Sequence, residues 1–410
     1  MLLTHLSLTN FRNFARLDVD VPGGQVLLVG GNAQGKTSLL EAIYFMATFT
    51  SFHASNDRQL VNFLVGNESL AVARIVADFQ YAPNSLLKDS IASGPHRLEA
   101  RLIQENDPMN GASRMHKEVL LDGVKRKLGE AYGAFNAVLF LPHMLRVVDG
   151  PPEERRRYLN LVMGQVLTNF ATDLNEYNRA VAQRNALLKQ IGERGGDVDQ
   201  LAYWDEHVAS FGARIIHARI KTVQELERQA ARVHSELTRG QEVLRFVYQP
   251  AYDPLPSPPM QYTLPIDAPL DRSGISREKI QLGFLECLGR LRIEEIARGV
   301  TTIGPHRDEL RFLSNGIDIG TYGSRGQGRT AVLALKLAEV NWIKEKTGQW
   351  PVLLLDEVLA ELDPERRKDL LARLQETEQS LLTTTDLDLF LPEFVAKAKT
   401  WRIQGGRVLT

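Results

Sequence analysis

Apolar and polar residues alternate with period two over residues 2–9 and again over 16–21, with Asn10-Phe11-Arg12-Asn13 between them. That spacing predicts two strands joined as a hairpin. Pro22-Gly23-Gly24 is a turn, and 26–29 is an unbroken apolar run, suited to a strand buried on both faces. Over 38–48 the apolar period lengthens to that of a helix. Strand-like stretches follow at 71–81, 97–104 and 118–127, the last holding Asp122-Gly123, a strong hairpin signal. Residues 83–94 and 106–114 read as loops.

The character changes after Pro151-Pro152. Leu159, Val162, Val166, Phe170, Leu174, Tyr177 and Val181 keep a helical period, so 153–191 reads as one helix. Residues 192–196 break it, and 201–237 is a second long helical run. Two long helices with a short glycine turn make an antiparallel hairpin. A projecting arm and a compact helical domain both satisfy this periodicity. Residues 249–269 carry seven prolines and form an irregular connector, the other reading being a docking motif for a proline-reading partner. Beyond it the pattern predicts helices at 276–298, 326–346 and 364–378. It also predicts a buried strand at 351–355, a short strand at 380–384, and hairpins at Asn315-Gly316 (309–320) and Gly405-Gly406 (401–409).

Composition narrows the class. The 410 residues carry 49 Lys+Arg against 50 Asp+Glu, with 43% hydrophobic and 24% charged residues. This is globular usage, with room for two or three domains, and it excludes disordered and fibrous classes. The single Cys287 forms neither an internal disulfide nor a CxxC zinc site and fits a reducing cytoplasm. Apolar runs fall far short of the roughly 20 residues that span a bilayer. Residues 1–21 carry acids and alternate as a strand, unlike a secretory leader. A net charge of −1 argues against a chain coated with positive field for nucleic acid.

Gly30-Gly31-Asn32-Ala33-Gln34-Gly35-Lys36-Thr37 satisfies G-x-x-x-x-G-K-[ST] between an apolar strand and a helix. Glycines let successive N–H groups curl toward phosphate oxygens, and the helix N-terminus, from Ser38 on, adds positive potential. Lys36 reaches the β- and γ-phosphates of ATP, and the Thr37 hydroxyl is a Mg²⁺ ligand. Val352-Leu353-Leu354-Leu355-Asp356-Glu357 is a buried strand ending in two acids. Asp356 at its carboxyl end is placed to hold Mg²⁺, and Glu357 to act as general base on water. Gly323-Ser324-Arg325-Gly326-Gln327 opens the helix 326–346 and reads either as an anion site or as a plain N-cap by Ser324.

Together these pieces resemble the SMC-like branch of the ABC-type ATPases. The ordered set further resembles the RecF family: Leu8-Thr9-Asn10-Phe11-Arg12-Asn13-Phe14, the phosphate loop through Glu41, Gly150-Pro151-Pro152-Glu153-Glu154-Arg155-Arg156-Arg157, Gly304-Pro305-His306-Arg307-Asp308, Ser324-Arg325-Gly326-Gln327, Asp356-Glu357 with Ala360-Glu361-Leu362-Asp363, and Thr383-Thr384-Thr385-Asp386. The resemblance implies an α/β fold. An ABC/SMC-type P-loop ATPase head (1–150 and 301–410) would carry an antiparallel β subdomain and an inserted α-helical arm (151–300). It implies an ATP-dependent homodimer in which Ser324, Gly326 and Gln327 complete the partner's ATP site. It also implies DNA binding at duplex and single-strand gaps in recombinational repair, the SOS response and replication, with RecR and RecO loading RecA. Weak, DNA-stimulated ATP hydrolysis through Glu357, Lys36 and Asp356, and no membrane association, belong to the same picture. Two other readings stand beside it: a regulatory interaction protein using ATP only as a conformational ligand, and a general short SMC/Rad50-like ATPase. The helical insertion, about 90 residues, is short for a hinge-bearing coiled coil.

The chain departs from the family pattern at several places. Thr385 stands at the switch-histidine position, His143 where SMC relatives carry a Gln-loop glutamine, and Gly328 where a larger polar residue is usual. Thr50 to Ser55 lacks the basic Ser-Phe-Arg stretch, and 83–114 and 250–273 are insertions. Arg12 reads equally as a phosphate contact or a surface hairpin residue. His306, Arg307 and Asp308 read as a network near the nucleotide or as a loop fixed by an Arg307–Asp308 pair. Lys125-Arg126-Lys127 and Arg155-Arg156-Arg157 are solvated faces or DNA contacts, and Cys287 reads as a small buried residue.

Overall fold

A computed structural model describes residues 1–66, 68–82, 94–106, 113–255 and 270–409. The first alternating stretch is the expected hairpin: β1 (Leu2–Phe11) pairs antiparallel with β2 (Phe14–Asp20). β3 (Gly24–Val29) then enters a different sheet. β4 (Leu70–Gln80), β5 (Pro95–Asn106), β6 (Ser113–Leu121) and β7 (Val124–Arg126) extend the hairpin into an antiparallel sheet ordered β2-β1-β4-β5-β6-β7. Asp122 and Gly123 both take positive φ, 52° and 80°, as a two-residue hairpin turn requires. The sheet corrects the reading of 106–114 as loop. Asn106 pairs with Ser113 and Glu105 with Arg114, so the described ends of that segment are strand. Residues 83–93 and 107–112 of the expected insertion lie outside the described residues, as do 256–269 of the proline-rich connector.

The second sheet is ordered β15-β14-β3-β13-β12-β8, from β8 (Ala137–Phe140), β12 (Val352–Asp356), β13 (Gln379–Thr384), β14 (Lys399–Gln404) and β15 (Arg407–Leu409). All its pairings are parallel except β14–β15. β12 and β13 are buried throughout, and in β12 this burial on both faces gives the apolar run Val352 to Leu355. Helix Lys36–Thr48 packs on β8, β12 and β13 and also on β4 and β5. Enclosed by both sheets, it is buried at every position from Leu39 to Thr48. The two sheets and this helix form one unit: Met1–Met144, Gly164–Leu167 and Glu339–Thr410. Helix Pro364–Leu374 stops short of the expected 378, because the Thr377 hydroxyl turns back to the Leu374 carbonyl at 2.7 Å.

The other unit is Leu145–Met163 and Thr168–Ala338. Its centre is three packed helices, Phe170–Arg194, Leu201–Leu237 and Arg277–Arg298. The helix expected over 153–191 is two, Pro152–Val166 and Phe170–Arg194. The break falls at Asn169, whose φ of 66° an asparagine tolerates and an apolar-period count does not register. Buried charge joins the three helices: Arg184 donates to Asp205 at 2.7 Å and pairs with Glu295 at 2.6 Å, and Arg292 reaches the second Asp205 oxygen. β9 (Leu244–Gln249), not anticipated beside the prolines, pairs with β10 (Glu309–Ser314), and β10 with β11 (Ile317–Asp318). The β9–β10 ladder carries this unit past residue 300, to Ala338. Cys287 is half-buried. Among the described residues no helix is long and apolar enough to cross a membrane.

Candidate nucleotide site

β3 ends at Val29 and the chain turns through residues 30–35 into helix Lys36–Thr48. Gly35 takes φ 114°, and a Cβ there would lie 2.6 Å from Asn13 Nδ2. At Gly30 a Cβ would lie 2.4 Å from the Ile403 carbonyl oxygen. Both glycines are therefore steric requirements of this turn. The loop is braced from outside. Asn13 Nδ2 and the Gly406 N–H donate to the Gln34 carbonyl at 3.2 and 3.0 Å, and the Gly405 N–H donates to Gln34 Oε1 at 2.8 Å. The Lys36 ammonium, 4% exposed, donates to the Gly30 and Gly31 carbonyls at 2.6 and 3.1 Å.

The two acids at the end of β12 meet this loop. Thr37 Oγ1 lies 3.0 Å from both carboxylate oxygens of Asp356. Lys36 Nζ lies 3.3 Å from Glu357 Oε1, and the Glu357 side chain is 43% exposed. Glu357 has φ 51°, a strained conformation for a non-glycine residue. Thr383 holds it there: its hydroxyl accepts the Glu357 N–H at 2.9 Å and donates to Asp356 Oδ1 at 2.7 Å. The motif spacing gives Thr383 no such role; its register opposite Asp356 in the β12–β13 ladder does. Phosphate loop, acids, Arg12 and His143 line one cavity of about 600 Å³, with Phe52, Val61 and Phe63 on the wall. That volume suits a nucleotide-sized ligand. A glycine-bearing turn into a helix N-terminus, a lysine and a hydroxyl beside a carboxylate form a set that suits a polyphosphate with a divalent cation.

Arg12 lies on the cavity wall with its guanidinium committed to Glu41, at 2.7 and 2.8 Å, and to the Gln59 carbonyl at 2.9 Å. Glu41, 1% exposed, also bonds the Ser51 hydroxyl. Thr385 is exposed just past β13. Asp363 caps helix Pro364–Leu374 through the Arg366 N–H, which holds its carboxyl below the usual range.

In the other unit, Ser324 caps helix Arg325–Thr347: its Oγ accepts the Gln327 N–H at 3.2 Å, while Gln327 Oε1 accepts the Ser324 N–H at 3.0 Å. Gly326 is exposed at the start of this helix. The expected Arg307–Asp308 pair is corrected. Asp308 is 1% exposed and bonds Arg219 at 2.7 Å, Tyr248 OH at 2.5 Å and the Ala251 N–H at 2.9 Å, while Arg307 is exposed. A buried carboxylate takes partners that share its burial. His306 bonds Tyr177 OH and the Thr301 carbonyl, and no cluster of metal-binding side chains forms among the described residues. Of the basic clusters, Arg155 is bound to Glu309 and Arg156 to the Asp308 carbonyl, while Lys125 pairs with Glu118 on the antiparallel sheet.

The family profile described as RecF/RecN/SMC N terminal domain matches residues 2–391. The chain is 38% identical to the DNA replication and repair protein RecF of Chloroflexus aurantiacus, covering 100% of this chain and 99% of that one. It is 34% identical to the protein of that name from Bacillus subtilis, covering 100% of both. Among solved structures, the recombination mediator protein RecF-ATP in the RecFOR pathway aligns with a TM-score of 0.80 at 30% identity, covering 100% of this chain and 97% of that one. The corresponding RecF-ATPrS structure aligns with a TM-score of 0.79. The fold is the P-loop ATPase head of ABC/SMC type with an antiparallel β subdomain and an inserted helical domain, and the chain belongs to the RecF family.

Proposed function

We propose that the chain is an ATP-dependent DNA-binding protein of recombinational repair and replication maintenance, and that ATP drives its self-association. The observation that supports this best is the meeting of Thr37 Oγ1 with both oxygens of Asp356 at 3.0 Å, beside the loop that carries Lys36. A hydroxyl and a carboxylate converging on one point suit Mg²⁺, and the loop amides suit phosphate. Bound Mg²⁺–ATP supplies the transferable phosphoryl group. Residues 30–38 would hold the phosphates, and Lys36, which bonds the Gly30 and Gly31 carbonyls and lies beside Glu357, would neutralise them. Glu357, freed from Lys36, accepts a proton from water. Arg12 contributes positive potential to the cavity from its place on Glu41.

Ser324, Gly326 and Gln327 of a second copy complete the site. ATP then binds the dimer better than the separate chain, and linkage converts that difference into association. The dimer holds duplex DNA near single-strand gaps and works with RecR and RecO in loading RecA, in the cytoplasm; slow hydrolysis releases it. Glu357→Gln removes the base and leaves the phosphate contacts, so this variant should accumulate as a dimer in ATP and Mg²⁺. Sedimentation velocity showing it monomeric under those conditions would falsify the proposal. The exposed Thr385, with no imidazole to sense phosphate, favours a second reading in which ATP acts only as a conformational ligand. DNA-stimulated turnover that Lys36→Ala abolishes supports hydrolysis; tight ATP binding with no turnover supports the second reading.

A further inference from the structure

Gln327 is engaged at both ends of its amide. Its Oε1 accepts the Ser324 N–H at 3.0 Å, and its Nε2 donates to Glu242 Oε1 at 3.3 Å. Glu242 is not part of any motif. It lies between helix Leu201–Leu237 and β9. Its other oxygen accepts the Ser314 hydroxyl at 2.9 Å and lies 3.7 Å from Nε2 of His234, which is fully buried in the last turn of that helix.

An ionised carboxylate accepts hydrogen bonds and cannot donate them. Glu242 therefore admits only the NH₂ end of Gln327, and a flipped amide would set oxygen against oxygen here and NH₂ against the Ser324 N–H. With the amide fixed, Gln327 satisfies the Ser324 N–H. The Ser324 Oγ accepts from the Gln327 backbone, and its own hydrogen is left to donate outward. We infer that Glu242 is the positioning residue that sets the donor geometry of the Ser324–Gln327 segment and ties it to the end of the long arm helix. Any displacement of that helix end moves Glu242, and with it the orientation of Gln327. This rests on the proposed role of Ser324–Gln327 as the half-site completed against a second copy.

The test uses the full chain and compares Glu242→Ala, Glu242→Gln and Ser324→Arg. Glu242→Ala should bind a fluorescent ATP analogue as the separate chain does, within about twofold, and weaken ATP-dependent dimerisation by about tenfold or more. Glu242→Gln keeps an acceptor oxygen for Gln327 and should recover part of that loss. A structural role alone is excluded by mixing Glu242→Ala with Lys36→Ala. Each supplies the half-site the other lacks, so turnover in the mixture should exceed the sum for the two variants measured alone at the same concentration. Wild-type dimerisation of Glu242→Ala, with Ser324→Arg monomeric, overturns the assignment of Glu242 and leaves the dimer reading standing. Dimerisation of Ser324→Arg overturns the half-site reading and this inference with it. A mixture no more active than the two variants alone overturns the positioning role.

Discussion

Thr383 bonds both acids of the candidate site, and its contribution is separable from the phosphate loop. Thr383→Val keeps shape and removes the hydroxyl, which leaves Asp356 short of a donor and the strained Glu357 backbone short of an acceptor. If Asp356 holds Mg²⁺ as proposed, such a loss beside it should cost roughly 10–100-fold in metal affinity or activity. Steady-state turnover titrated with Mg²⁺ should show it, with nucleotide affinity in the absence of Mg²⁺ unchanged. Gly35→Ala fails differently, through a Cβ 2.6 Å from Asn13 Nδ2 at φ 114°. It should abolish nucleotide binding by calorimetry, and pairing it with Asn13→Ala should not restore binding, because the backbone strain remains. The loop, Asp356 and Glu357 were all legible as residues. Thr383 was not, since its role depends on a strand pairing between distant segments.

At the scale of elements, the three-helix packing encloses ionised groups. Arg184 is fully buried and Asp205 is 1% exposed. Asp205→Ala would strand Arg184 and Arg292 with fewer acceptors, and breaking a buried pair costs about 3–5 kcal/mol. Urea unfolding followed by circular dichroism should show this loss, and Asp205→Asn should recover part of it. On the antiparallel sheet, hydrogen bonds from Arg74 and Arg101 hold the Glu99 carboxyl down to about 2. A depressed carboxyl stabilises the fold above its unfolded value of 4.5, and that contribution fades as pH falls toward about 2. Wild-type and Glu99→Gln unfolding midpoints should therefore differ most above about pH 5 and converge as the pH falls toward 2. Helix and strand existence was readable from apolar period. The stop at Asn169 and the strand β9 were not, because a backbone φ and a partner at residues 309–314 decide them.

For the whole molecule, the balance of 49 basic against 50 acidic residues constrains how the proposed DNA binding could work. Part of the basic charge is paired with acids of the same chain: Arg155 with Glu309, Arg97 with Asp78, Arg74 and Arg101 with Glu99. A chain of this kind has little long-range field, so on the proposed function DNA contacts would have to come from local clusters brought together when two copies associate. Duplex affinity should be weak without nucleotide, tighten with ATP and fall steeply as salt rises. Fluorescence anisotropy at several salt concentrations, with and without ATP, measures this directly. Binding that is tight without nucleotide and indifferent to salt would refute it.

The sequence by itself determined the phosphate loop, the two acids after an apolar strand, the capping segment at Ser324, the fold class and the family. The motifs are local patterns, written in consecutive residues whose chemistry needs no distant partner to be recognised, and their order along the chain carries the fold class and the family. Tertiary structure alone decided that Thr37 meets Asp356, that Thr383 orients both acids, that Asp308 pairs with Arg219 and not with Arg307, and that Glu242 holds Gln327. In each case a buried or constrained polar group requires a partner, and the chain supplies it from a residue far away in sequence. Spacing cannot record such a pairing, because it is fixed by which surfaces fold together.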